Sequence, residues 1–397
     1  MPLPDNLLQN AMAAHKAGRL AEAEAGYRQV LDHRPRHPKA LYYLALLHFH
    51  RGDSETALQV IAQCLEYAPT NPHAWNTFGG MLVEAGRHAE AREAYRKVTQ
   101  HGPALGEGWY NLGICLRDDG DLDGAIAALG EAITRQADYF RAYEVLAALF
   151  YQLGQTADAA EIYRKWAAVD PSSAKARHMA AATSNENVPG RASDEYIQSL
   201  FDSSAKEFDA NLEQLGYRAP RIVAAALARF APEAAMLDVL DAGCGTGLCG
   251  PLIRERCRSL VGVDLSERML HSARSRGGYD ELVVAELSAF MRSRPESFDA
   301  IICADTLVYF GALDEPLLAA RATLRKSGLL IFTLEVLSDA EQADHRLESH
   351  GRYTHSEAYV RRVLAATGFE LHALERETLR QERLLDVVGY LVVARRE

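Results

Sequence analysis

One period constrains this chain more than any other feature. Between Pro4 and Ser173 the sequence repeats every 34 residues, five times, with no insertion. A glycine recurs at Gly18, Gly52, Gly86, Gly120 and Gly154, and a small residue at Ala23, Ala57, Ala91, Ala125 and Ala159. A proline recurs at Pro35, Pro69, Pro103 and Pro171, with Ala137 the one departure. Glycine ends a helix in a left-handed turn, and proline cannot continue one. The alanines let the two helices of a unit approach closely. Each unit therefore reads as a helical hairpin too small to bury its own apolar face, stable only when stacked into a solenoid.

Further columns agree. Leu41, Trp75, Trp109 and Tyr143 open the first helix of repeats two to five, and Tyr27, Ile61, Tyr95, Leu129 and Tyr163 recur in the second helix. The pattern resembles the tetratricopeptide repeat over residues 4–173. In arrays of that kind the first helices line a concave face, which here carries Tyr42, Tyr43, Asn76, Tyr110, Asn111 and Tyr151. The resemblance implies a groove for a protein or extended peptide; a spacer or dimerisation element is the alternative.

Composition narrows the rest. The formal net charge of -11 argues against nucleic-acid binding, which needs a basic face. The six cysteines form no CxxC pair and no His cluster has metal-ligand spacing, so no metal is expected. Scattered thiols fit a reducing compartment. The first residues lack a basic segment followed by an apolar run, and no stretch is long enough to span a bilayer. The expectation is a cytoplasmic protein without membrane contact.

Residues 174–193 contain Ser184, Asn185, Asn187, Pro189 and Gly190, a linker signal. Ala174–Ala182 is expected to cap the last repeat. Residues 194–235 read as helices broken near Gly216 and Pro220, an N-terminal extension whose Phe201, Phe208 and Tyr217 can cover a site in the domain that follows.

From Met236 to the end the pattern becomes strand–helix alternation, the sign of a parallel sheet. Strands are expected at about 236–242, 259–264, 281–285, 298–304, 328–335, 368–375 and 385–394, the last two as an antiparallel hairpin. The first strand enters Asp241-Ala-Gly243-Cys-Gly245-Thr-Gly247, where glycines let the backbone approach a ligand beside a helix N-terminus. The second strand ends in Asp264, suited to ribose hydroxyls, and the third is followed by Glu286, suited to an adenine amino group. Gly245-Thr-Gly247-Leu-Cys-Gly250 also satisfies a dinucleotide fingerprint. Asp241 weighs against that reading, because a pyrophosphate repels a carboxylate whereas a sulfonium and an ammonium accept one.

These phrases, with Gly262-Val-Asp264-Leu-Ser266 and Phe298-Asp-Ala-Ile-Ile-Cys-Ala-Asp305, make residues 236–397 similar to class I S-adenosylmethionine-dependent methyltransferases. Leu215-Gly-Tyr-Arg-Ala-Pro220, Asp305-Thr-Leu-Val-Tyr309-Phe-Gly311 and Gly351-Arg-Tyr-Thr-His-Ser356 resemble predicted bacterial tetratricopeptide-containing methyltransferases and their vertebrate methyltransferase-like relatives. The implied fold is an all-α solenoid followed by an α/β, Rossmann-like, seven-stranded domain ending in an antiparallel hairpin. The implied cofactor is S-adenosyl-L-methionine, leaving as S-adenosyl-L-homocysteine. The resemblance assigns Asp241, Gly243, Gly245 and Gly247 to the methionine end and Asp264 to the ribose. It assigns Leu265, Met269, Glu286 and Leu287 to adenine, and Asp305 and Tyr309 to the methyl group and substrate, with Tyr217 a candidate lid over the cofactor.

Catalytic candidates lie at strand ends facing the same cleft: Tyr309, Glu335, Arg352 and His355. A nitrogen or oxygen acceptor that loses a proton needs a base, for which His355 is the candidate. Its alternative role is structural, beside Ser356. Arg352 can pair an acceptor carboxylate, or instead pair with Glu335.

Overall fold

The computed structural model describes residues 4–205, 207–231, 236–338, 342–382 and 385–397. The chain divides into two compact units, Met1–Val169 and Asp170–Glu397.

The first unit is five antiparallel hairpins: α1 (Pro4–Lys16) with α2 (Leu20–His33), α3 (Pro38–His50) with α4 (Ser54–Tyr67), α5 (Pro72–Glu84) with α6 (His88–His101), α7 (Gly106–Asp118) with α8 (Leu122–Arg135), and α9 (Phe140–Gln152) with α10 (Thr156–Val169). The glycine column turns each hairpin at positive φ, for example +81° at Gly52. The alanine column is wholly buried. Size alternates across each hairpin: a Cβ on Gly79 would lie 2.6 Å from the Tyr95 ring, and one on Gly113 2.8 Å from Leu129 Cγ. Trp75 and Trp109 each donate Nε1–H to the carbonyl of the preceding repeat-terminating proline, Pro69 at 2.8 Å and Pro103 at 3.0 Å.

The second unit begins with α11 (Ala174–Ser184), α12 (Asp194–Ser204), α13 (Phe208–Gln214) and α14 (Ala219–Phe230). Where the linker signal suggests a cap on the repeats, α11 falls in this second unit and packs beside α12. Strands and helices then alternate: β1 (Leu237–Ala242), α15 (Gly250–Ile253), β2 (Cys257–Asp264), α16 (Glu267–Arg276), β3 (Glu281–Val284), α17 (Leu287–Ser293), β4 (Phe298–Cys303), α18 (Asp314–Thr323) and β5 (Leu324–Val336). After these come β6 (His345–Leu347), β7 (Tyr353–His355), α19 (Glu357–Ala366), β8 (Phe369–Glu382) and β9 (Leu385–Arg396).

The seven expected strands are present, and two three-residue strands, β6 and β7, extend the sheet beyond β5. The order β3-β2-β1-β4-β5 is parallel, β9 runs antiparallel to β5, and β8 pairs β9. Alternate residues serve opposite faces. Leu240, Ile301 and Phe332 pack under α17, α18 and α19, while Val239, Ile302 and Ile331 pack under α14 and α15. With both faces covered, the carboxyl ends of β1 and β4, where the strand order reverses, form the open crevice. No helix among the described residues is long and apolar enough to cross a membrane.

Candidate active site

A cleft of about 360 Å³ opens at those strand ends beneath α12 and α13. On one wall, β1 delivers Asp241 and the turn behind it. Asp241 is 1% exposed; Tyr279 Oη donates to its Oδ2 at 2.5 Å, while Oδ1 is buried without a hydrogen-bond partner among the described residues. Burial pushes this carboxyl up to about 7, against the Tyr279 hydrogen bond. Gly243 has φ +77°, and a Cβ there would lie 2.3 Å from the Thr306 side chain. Gly245, at φ +54°, faces open space.

Asp264 ends β2. Its Oδ2 accepts from Gly245 N at 2.9 Å and its Oδ1 from Ser266 N at 2.9 Å. Burial raises its pKa, and these backbone donors oppose the rise. Leu265, Glu286 and Leu287 line the same end. Both Glu286 oxygens cap α17, accepting from Ser288 N at 3.0 Å and Ala289 N at 2.7 Å, so its carboxylate has structural work beyond any ligand.

Three sequence-based assignments change. Met269 is fully buried and is not among the cleft-lining residues; helical periodicity put it in the core instead. Gly247 likewise does not line the cleft: its Cβ position meets Tyr279 at 3.0 Å and Ala273 at 3.1 Å. Gly250, the last glycine of the dinucleotide-like spacing, also makes room for Tyr279, 2.6 Å from its Cβ position. Third, His355 is buried behind the cleft, with Nε2 bonded to Gly311 O at 3.1 Å and Nδ1 without a partner among the described residues. Burial and the neighbouring His345 lower its pKa to about 4. A ring in this environment buttresses the turn after Tyr309 and has no path to an acceptor proton.

The opposite wall is charged. Asp305 has φ +53°, and its Oδ1 accepts from Thr333 Oγ1 at 2.7 Å. Its Oδ2 accepts from Arg380 Nη1 at 3.0 Å. Arg380 also donates to Glu335 and, at 2.7 Å, to Glu382. Arg352 Nε donates to Glu335 Oε1 at 2.6 Å and Nη2 to Glu382 Oε1 at 2.5 Å. Arg352 thus takes the alternative considered for it, the pair with Glu335. Burial would raise Glu335, but Arg352 and Arg380 outweigh it and hold the carboxyl below its usual range. The same balance lowers Glu382 to about 2. His350, 3.4 Å from Glu335, is pushed down to about 4 by burial and by Arg352. Tyr217 and Tyr309 line the cleft with Arg352, whereas Glu335 lies beneath it at 3% exposure.

The roof is apolar and fastened. Phe201 meets Phe208 edge-on at 5.8 Å and Tyr309 at 5.7 Å between ring centroids. Asp202 of α12 accepts from Ser266 Oγ at 2.5 Å, and Asp209 of α13 accepts from Thr246 Oγ1 at 2.6 Å and from Arg276.

Tyr279, Arg380, Glu382, Asp202 and Asp209 escaped sequence reasoning. Only Arg380 and Glu382 left a signal. The apolar run Val387–Val393 of β9 needs a partner of equal length, which carries β8 through Arg380, opposite Val387.

In the first unit the six concave-face candidates lie on α3, α5, α7 and α9, all half-buried. Tyr42 Oη is 3.1 Å from Thr77 Oγ1, and Asn111 Nδ2 donates to Asn76 Oδ1 at 2.9 Å, each tying one repeat to the next. Tyr43 stacks on buried Tyr27 at 6.0 Å.

A parallel sheet whose glycine turn and acidic strand tips face a roofed cleft is the frame of a nucleoside-cofactor site. Residues 240–332 match the family model described as methyltransferase domain. Residues 81–139 and 110–174 match the tetratricopeptide repeat model, and 16–98 match that of anaphase-promoting complex, cyclosome, subunit 3. The chain thus carries tetratricopeptide repeats followed by a domain of the S-adenosylmethionine-dependent methyltransferase class. It is similar to the biotin biosynthesis bifunctional protein BioHC of Saccharophagus degradans, 28% identical over 140 residues, covering 34% of this chain and 24% of that one. Human methyltransferase-like protein 27 is 34% identical over 113 residues, 27% of this chain and 45% of that one. The alignments span from about a quarter to under half of these relatives' lengths. The magnesium protoporphyrin IX methyltransferase of Synechocystis, solved with bound SAH, superposes with a TM-score of 0.41 at 18% identity, covering 52% of this chain and 100% of that one.

Proposed function

We propose that the chain transfers a methyl group from S-adenosylmethionine to a protein or peptide recruited by the concave face of its repeats, in the cytoplasm. The observation that carries the chemistry is the unpartnered Asp241 Oδ1, buried beside an open glycine turn and Asp264. The residues fit the cofactor. Asp241 would hold its ammonium, and Asp264, held by two backbone donors, has lone pairs left that would accept from ribose hydroxyls. Leu265 and Leu287 offer apolar surface to adenine.

When bound, S-adenosylmethionine supplies a methyl group on a positively charged sulfur. The rest falls to the chain. Phe201, Phe208 and Tyr309 exclude water and present aromatic faces to positive charge. Asp305, pinned by Thr333 and Arg380, holds the backbone turn that carries Tyr309. Acceptor alignment along the line of displacement is the main catalytic contribution. Glu335 and Arg352 act as a paired floor. His355 is buried behind the cleft, and Arg352 and Arg380 hold Glu382 at about 2 against the opposing effect of burial, so neither is a strong base.

Recruitment is supported by the polar Tyr42–Thr77 and Asn76–Asn111 ladder on first helices. A small-molecule acceptor is the second reading, favoured by the fastened roof over a cleft of about 360 Å³, the size of a small-ligand site. Tritiated cofactor incubated with cell extract separates them. Protein labelling that disappears in Asn76→Ala/Asn111→Ala, with S-adenosylhomocysteine affinity intact, supports recruitment. Label in a metabolite, unaffected by that pair, supports the second. Cofactor binding with no label anywhere leaves a cofactor-binding scaffold.

A further inference from the structure

The acceptor wall is held from an unexpected direction. Residues 174–193 carry the linker signal, yet within the second unit they bond to both segments that bear acceptor-facing side chains. His178 of α11 is buried and stacked on Tyr196, ring centroids 4.0 Å apart, and its Nε2 lies 2.9 Å from Gly351 O. A carbonyl only accepts, so Nε2 carries the proton. Gly351 has φ +88°, and a Cβ there would lie 2.8 Å from Tyr196 Oη and 3.0 Å from Met179 Sδ, so this approach requires glycine. Gly351 directly precedes Arg352.

The following residues continue the contact. Tyr353 Oη donates to Pro189 O at 2.6 Å. Gly190 O accepts from Gly311 N at 2.9 Å and Ala312 N at 3.1 Å, and Ala192 N donates to Tyr309 O at 2.8 Å. Ala181, Ala182 and Val188 pack with Leu347 and Tyr353. Every one of these ties ends on the loop around Arg352 or on the turn of Tyr309. The cofactor wall is fastened separately, through Asp202 and Asp209.

We propose that residues 178–192 are a positioning segment for the acceptor side of the cleft, with His178 its anchor, acting through Gly351 on Arg352. The meaning of that side as an acceptor wall rests on the methyl-transfer reading; the mechanical coupling does not. Removing His178 then loosens mainly one wall, because the hydrogen bonds of residues 178–192 named here end on the acceptor side and the two walls share, among the contacts named, only the ring contacts of Tyr196 and Phe201 on α12.

The test uses the full chain, hydrogen exchange read by mass spectrometry, and calorimetry with S-adenosylhomocysteine. His178→Ala is expected to speed exchange about tenfold, the loss of roughly one hydrogen bond's worth of protection, in peptides covering 347–355 and 309–312. Peptides covering 241–247 and 262–266 keep their rates, and S-adenosylhomocysteine affinity stays within about twofold. His178→Gln, which returns an N–H near the Nε2 position, restores most of the protection. Tyr353→Phe, lacking only the hydroxyl on Pro189, gives a smaller change in the same peptides. Acceleration spread evenly over both walls, no change at 347–355, or no rescue by glutamine overturns the proposal. Failure of the unaltered chain to bind S-adenosylhomocysteine sinks the methyl-transfer reading instead, and the exchange result still judges the coupling.

Discussion

On the wall of the cleft proposed to hold the cofactor, the polar groups come from short stretches of chain and are held largely by backbone. Gly245 N and Ser266 N fix Asp264, and Glu286 caps the helix that follows it. On the acceptor wall, charged side chains from well-separated segments hold one another: Asp305 and Arg380 meet across 75 positions, Arg352 and Glu382 across 30. The first wall presents fixed dipoles and glycine space, and its geometry is almost independent of what the acceptor is. The second is a compensated ion network whose geometry depends on every member. A fold can keep the first constant and vary chemistry through the second, and damage to the two should look different.

The largest effect is expected on the acceptor wall. Arg380→Ala leaves Asp305 buried without its cation and Glu335 with Arg352 alone, and breaking a buried pair typically costs about 3–5 kcal/mol. Denaturant unfolding of the second unit's transition should show it, and a loss below 1 kcal/mol would mean the network behaves like a surface ion pair. On the cofactor wall the loss should be in binding and not in folding. Asp264→Ala is expected to weaken S-adenosylhomocysteine by about 100-fold, the worth of two charge-assisted hydrogen bonds, with little change in melting temperature. Normal affinity in calorimetry would remove Asp264 from the site.

The pH dependence sharpens the contrast further. Burial holds Asp241 at about 7, so below that pH it carries a proton that a ligand ammonium must expel. Affinity for S-adenosylhomocysteine should climb by up to about tenfold per pH unit as pH rises toward 7 and flatten above it. The titratable groups around Asp241 include Tyr279, Cys244, Cys249, Cys257, Cys303 and Asp264. Titrations in buffers of different ionisation enthalpy count the proton, and a flat profile from pH 5.5 to 8 contradicts the assignment. The smallest effect is expected from Tyr279→Phe, which removes one hydrogen bond from Asp241 and should cost about fivefold in affinity while shifting the pH midpoint upward. An unchanged midpoint would show that Tyr279 only fills space between Gly247 and Gly250.

How much of this was legible in the sequence follows the same division. The residues proposed to hold the cofactor, Asp241, Gly243, Gly245 and Asp264, sit in contiguous phrases, because a backbone turn is a local object. Even there two positions differ: Met269 is wholly buried, and Gly247 makes room for the ring of Tyr279, which comes from a distant loop. On the acceptor side, Arg380 lay in a polar stretch that looked like a hairpin loop, and His355 looked like an exposed base beside a helix start. Strand pairing buried both.

By itself the sequence determined the repeats and the glycine turn. In each case the contacts recur at short or constant separation, so the pattern of glycine, alanine and aspartate is the structure's own spacing. Tertiary structure alone decided that α11 belongs with the second unit, that His178 reaches Gly351 across 173 positions, and that two arginines and three carboxylates share one buried network. Those arrangements depend on sheet register and on charges meeting in low dielectric, and neither leaves a local mark on the chain.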